Sequence, residues 1–186
     1  MVGLSQLWLA ILGSSVLVFV LSSIVHMVLK WHNVDYRKFS NEDEVRTAIQ
    51  RTAPAPGQYV VPHCADMKAM RTPEFQQKFV DGPVGFVVLR ARGVPNMGPS
   101  LALWFLYSVA IAIFAGYLAS RTLPAGAAAA TVFRLVATVA LLAYGGGSVQ
   151  SGIWMGKPWS SVVKELLDAL IYALATGAVF AAAWPH

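Results

Sequence analysis

Apolar residues run almost unbroken through four stretches of the chain, and polar residues gather in one block after the first. The first stretch runs from about Leu4 to Leu29 and carries no Asp, Glu, Lys or Arg. Roughly 20 apolar residues suffice for a helix to cross a hydrocarbon core, so this stretch predicts a retained membrane helix. It lacks the basic start, short apolar run and small-residue cleavage site of a secretory leader. Three further spans follow, at about 101–119, 127–144 and 162–183. The turn Arg121 to Gly126 is short, which makes the second and third spans antiparallel neighbours. Gly145, Gly146 and Gly147 mark the expected end of the third. The pattern predicts an all-α membrane bundle of about four helices with a small α+β insert: 1–29, 30–100 and 101–186.

Inside the insert, Glu42, Asp43 and Glu44 open a short helix that ends near Arg51. Tyr59 to Val61 is a β-type run. Thr72 and Pro73 form an N-cap and first-turn pair, so Pro73 to Val80 predicts a second helix. Val84 to Leu89 is the strongest strand candidate. Two short strands alone are marginal in water. The expected insert core is Tyr59, Val61, Phe75, Phe79, Phe86 and Val88.

Composition sharpens this picture. Of 186 residues, 56% are hydrophobic and 12% charged, against about 25% charged in ordinary soluble domains. Charge is concentrated between Lys30 and Arg92. The net charge is +5, but acids interleave with the basic residues and no basic run occurs. This excludes the footprint of a nucleic-acid binder and points to the lipid bilayer as the medium. Lys and Arg cluster at one end of the spans: Lys30, Arg37, Lys38, Arg90, Arg92, Lys157 and Lys164. That bias predicts a cytoplasmic insert with both termini outside. Trp8, Trp31, Trp104, Trp154, Trp159 and Trp184 fall near span ends, where indoles favour the headgroup level. The single Cys64 allows no disulfide within the chain.

Few residues offer chemistry. Arg134 and Asp168 lie inside the third and fourth spans. Charges there are costly unless paired, so an intramembrane ion pair is expected. A structural clamp fits that pair better than a transport path, because transport sites recruit polar groups from more helices. Lys164 and Asp168, four residues apart, form a competing pair. His63, Cys64, Met67 and Met70 suit Cu(I) if that run is helical, yet methionine at helical spacing is more often packing. His26 and His32 flank one end of the first span. A span histidine can ligate a tetrapyrrole, but no matching histidine stands on the other spans, so interfacial hydrogen bonding is the simpler reading. No HExxH, GxSxG or phosphate loop is present. The sequence specifies no cofactor and leans away from an enzyme.

Pro62-His63-Cys64, Pro73-Glu74-Phe75-Gln76, Gly82-Pro83-Val84-Gly85, Pro95-Asn96-Met97-Gly98, Ile153-Trp154 and Pro158-Trp159 together resemble a family of small bacterial membrane proteins with no assigned activity. The resemblance covers most of the chain after Lys30. It implies a bacterial inner membrane and brings no site residues. The expected role is an accessory or structural subunit, with a membrane-protein partner or further copies of itself. Copper handling through His63, Cys64, Met67 and Met70, or a small transporter using Arg134 and Asp168, are the alternatives.

Overall fold

The computed structural model describes residues 2–186. Among them, four helices are long and apolar enough to cross a membrane. The first, α1 (Leu4–Leu29), opens with a 3-10 turn at Leu4–Leu7 and closes with a π-helical stretch at Ile24–Leu29. A 3-10 turn at Trp31–Asp35 follows. Then come α2 (Glu42–Arg51), β1 (Gly57–Val61), α3 (Pro73–Asp81) and β2 (Gly85–Leu89). The chain ends with α4 (Met97–Thr122), α5 (Ala129–Met155) and α6 (Trp159–Ala182).

The long helices belong to one compact unit, Met1–Tyr36 with Asn96–His186. Small residues let them approach closely. A methyl group added at Gly177 would stand 2.9 Å from Ala137 Cβ and 3.0 Å from the Phe133 carbonyl oxygen. Gly145 meets Leu166 and Ala169 in the same manner. Such glycines bring backbones together where lipid supplies no hydrophobic drive between helices. On α1 the serines Ser14, Ser15 and Ser22 are buried, each donating its hydroxyl back to a carbonyl of its own helix. The main core joins Leu7, Ala115, Ala119, Val132, Val136 and Phe180.

The glycine triplet does not end the third span. The helix passes through Gly145–Gly147 to Met155, because Gly145 is pressed against α6 and leaves no room for a side chain. Likewise α4 begins at Met97, ahead of the expected Leu101, with Asn96 Oδ1 accepting from Gly98 N at its cap. Trp104 is therefore two turns inside its helix. It packs among Tyr107, Tyr144 and Tyr172 instead of marking a span end. Trp184 is also a correction: it is buried and donates Nε1 to the Pro124 carbonyl at 3.0 Å. Trp8, Trp154 and Trp159 remain exposed, and Trp31 is half-buried.

Residues Arg37–Pro95 form the second compact unit. Thr72 Oγ1 accepts from Phe75 N and Pro73 takes the first turn, which starts α3 where the sequence places it. β1 and β2 pair antiparallel, Gln58 opposite Val88, Val60 opposite Phe86 and Val61 opposite Gly85. Residues directly opposite share a face of the sheet. Phe86 and Val88 thus lie on one face with Val60, while Tyr59 and Val61 lie on the other. The expected core cannot form as one cluster, because its strand members point to opposite sides. Among the described residues, none from Arg37 to Pro95 is buried; Phe86 is 49% exposed and Val88 66%.

Candidate functional site: a histidine–carboxylate cluster at one end of the bundle

Three local features at and just after the end of α1 build the site. The helix loosens into its π-helical stretch at Ile24–Leu29, a rare geometry found often at functional sites. That stretch carries His26. Lys30 then adopts the left-handed region at φ 53°, a conformation that disfavours a side chain with a Cβ. The reversal lets the Trp31–Asp35 turn fold back, and the His32 ring stacks on the His26 ring at 4.8 Å and 10° between planes.

The fourth long helix supplies the counterpart. Asp168, on the third turn of α6, is buried at 4% exposure. Its Oδ2 lies 2.8 Å from His32 Nε2 and 3.9 Å from His26 Nε2. Its Oδ1 is buried with no protein hydrogen-bond partner, as is the hydroxyl of Tyr172 one turn further on. One turn before it, Lys164 Nζ donates to Asp35 Oδ1 at 2.6 Å and to the Trp31 carbonyl at 2.9 Å. Glu165 is held by Lys157 across the entry to α6.

Hydrogen-bond roles follow from the partners. His26 Nδ1 lies 3.0 Å from the Ser22 carbonyl oxygen, which can only accept, so Nδ1 carries a proton and donates it there. His32 Nδ1 donates to Asp35 Oδ2 at 2.9 Å. The Lys164 ammonium, helped by His32, holds the Asp35 carboxyl down at about 2 despite its partial burial. Asp35 is thus an acceptor at any ordinary pH. A neutral imidazole has one N–H, and His32 spends it on Asp35. A proton or a cation must therefore lie between His32 Nε2 and Asp168 Oδ2.

Two cavities of about 260 Å³ each adjoin the cluster. One is lined by His26, His32, Asp35 and Lys157, the other by His26, Asp168, Tyr144 and Tyr172. His26 and Glu165 border both.

The expected Arg134–Asp168 ion pair does not form. Asp168 sits at the level of Gly145, since Leu166 and Ala169 flank that glycine, whereas Phe133 and Ala137 place Arg134 beside Gly177. About nine residues of α6, roughly 14 Å at the helical rise, separate the two levels. Arg134 is exposed and enters no ion pair among the described residues. The competing Lys164–Asp168 pair is also absent, because Lys164 turns to Asp35. A transport path built on Arg134 and Asp168 loses its premise.

The copper set fares no better. The chain from Pro62 to Lys68 is not helical, so His63, Cys64 and Met67 do not stack at helical spacing. Cys64 Sγ donates to the Asp66 carbonyl at 3.1 Å, and Met67 is 65% exposed. Met70 lies in a separate 3-10 turn, Ala69–Arg71. Asp35 is a site residue that the sequence expectations do not contain. Its signal was its place three residues after His32, the spacing of a one-turn contact.

Protein-family models, curated proteins and solved structures, compared with this chain, give no match. The class is therefore defined by fold and site alone: four helices of membrane-spanning length, a small two-stranded unit, and a histidine–carboxylate cluster at one end of the bundle.

Proposed function

We propose that the chain is a multi-pass membrane protein acting as a non-catalytic accessory or structural subunit of a membrane complex, with Arg37–Pro95 as the element that meets the partner. One observation carries the reading. A unit of roughly 60 residues has little core to spare, and this one buries no described residue while both faces of its two-stranded sheet are apolar. A sheet of that kind gains its stability from what covers it. Two short helices, α2 and α3, are too little to cover both faces. Val60, Phe86 and Val88 form the barer face, and that face is where a partner protein packs.

Four helices of spanning length support the membrane setting. The clustering of Lys and Arg at one end of the spans favours a cytoplasmic place for Arg37–Pro95, and the family resemblance favours a bacterial inner membrane. The test is gentle extraction from native membrane followed by native mass measurement and hydrogen exchange. The expected result is an assembly heavier than one chain, in which β1 and β2 amides are protected only within the assembly. A lone monomer whose strand amides are already protected overturns the reading.

A further inference from the structure

We infer that His26, His32 and Asp168 form a binding site for a divalent first-row transition cation, with Zn(II) the best match to two imidazoles and one carboxylate. This goes beyond the subunit role and does not depend on it.

The ligand atoms of the three residues lie within 4.8 Å of one another. With metal–ligand bonds of about 2.0–2.2 Å, tetrahedral ligand atoms stand roughly 3.4 Å apart. His32 Nε2 and Asp168 Oδ2, at 2.8 Å, are a little closer than this, and His26 Nε2, at 3.9 Å from the same oxygen, is a little further. The His26 side chain is 53% exposed and springs from the π-helical stretch, so it has room to swing inward.

The outer partners argue as strongly as the ligands. A metal-bound histidine almost always donates its other ring N–H to a carboxylate or a backbone carbonyl, which fixes the tautomer and raises ligand basicity. Both forms occur here: His32 Nδ1 on Asp35 and His26 Nδ1 on the Ser22 carbonyl. Both Nε2 atoms are thereby left facing Asp168. Asp35 is itself anchored by Lys164, so the support extends a further layer.

A further observation points to a cation. Asp168 Oδ1 is buried and without a protein partner. Nitrogen donors disfavour Ca(II) and Mg(II), which take oxygen ligands. Three protein ligands leave at least one coordination position free, as in zinc sites that exchange a ligand. The cavity bordered by Asp168 and Tyr172 gives that position somewhere to open.

The test uses the full chain in detergent, stripped with a chelator and titrated with Co(II), whose ligand-field absorption reports nitrogen and oxygen ligation. The expected result is one saturable Co(II) per chain, displaced by one Zn(II). His26→Ala should weaken binding at least about 10-fold while the exposed position keeps the fold intact. Asp35→Asn, which touches no metal, should weaken it about 10–100-fold. Cys64→Ser and His63→Ala should leave it unchanged. The proposal is overturned if the wild-type chain shows no saturable band, if His26→Ala and Asp35→Asn bind as wild type, or if Cys64→Ser removes the band. Failure here leaves the subunit reading standing, because that reading is tested by assembly mass and strand protection alone.

Discussion

The indole of Trp104 donates to the hydroxyl of Ser22 at 2.9 Å, joining α4 to α1 one turn below His26. The same Ser22 donates its hydroxyl to the Phe19 carbonyl and offers its own carbonyl to His26 Nδ1. One serine therefore ties two helices together and orients an imidazole.

Trp104→Phe keeps the aromatic packing with Tyr107, Tyr144 and Tyr172 and deletes only the donor. Interhelical hydrogen bonds of this kind contribute about 0.5–1.5 kcal/mol. Denaturant titration in detergent should register a loss of that size, with helical content retained.

His32→Ala and Arg134→Ala should part company sharply. Removing His32 leaves Asp168 and Asp35 without the group that lies between them. Leaving buried carboxylate oxygens without their hydrogen-bond partner costs about 1–3 kcal/mol. Arg134 is exposed and unpaired among the described residues, so its removal should shift stability by less than about 0.5 kcal/mol. Thermal unfolding of the two variants side by side decides the matter, and equal losses would contradict the geometry.

Acid should expose the contribution of Asp35. Its carboxyl is lowered from an ordinary 3.8 to about 2, chiefly by Lys164. A depressed carboxyl stabilises the folded state above its unfolded value, and this is lost as pH falls from about 4 towards 2. Midpoints of unfolding measured across that window should fall in the wild type. Asp35→Asn should lack this part of the pH dependence while starting from a lower plateau.

Gly177→Ala should weaken the α5–α6 contact, because the added Cβ meets the Phe133 backbone at 3.0 Å and cannot push it aside cheaply. Overpacking of this type costs about 1–3 kcal/mol. Gly146→Ala is the matched control: it lies in the same pair of helices with open space at its Cβ, and it should be neutral or mildly stabilising.

Much of the architecture could be read from residue order, and the reasons are local. Four apolar runs of sufficient length, two of them free of charge, announce four long helices whatever surrounds them. Thr72 with Pro73 announces the start of α3. The span ends were harder. Gly145–Gly147 looks like a helix exit when the only alternative is solvent, and becomes helix interior once α6 is laid against it. The insert core was misjudged for a different reason: apolar residues on two strands can be counted in sequence, but which of them share a face depends on register.

The site was half legible. His26 and His32 stood out, and so did the buried cost of Asp168. Their meeting did not, because it needs a left-handed lysine at position 30 and the stagger of α6 against α1. Neither leaves a mark in composition or periodicity. Distance from the helix ends sets Arg134 and Asp168 at one depth, whereas the packed pairs Gly145–Leu166 and Gly177–Phe133 set them apart.

The backbone between His26 and His32 behaves as a ruler. Two unlike turns and one reversed φ are compressed into that short span, and together they bring two rings face to face. Lengthening it by a single residue would rotate the second imidazole away from Asp168 and pull Trp31 and Asp35 off Lys164. The tail of the first helix and the turn after it therefore act as one piece.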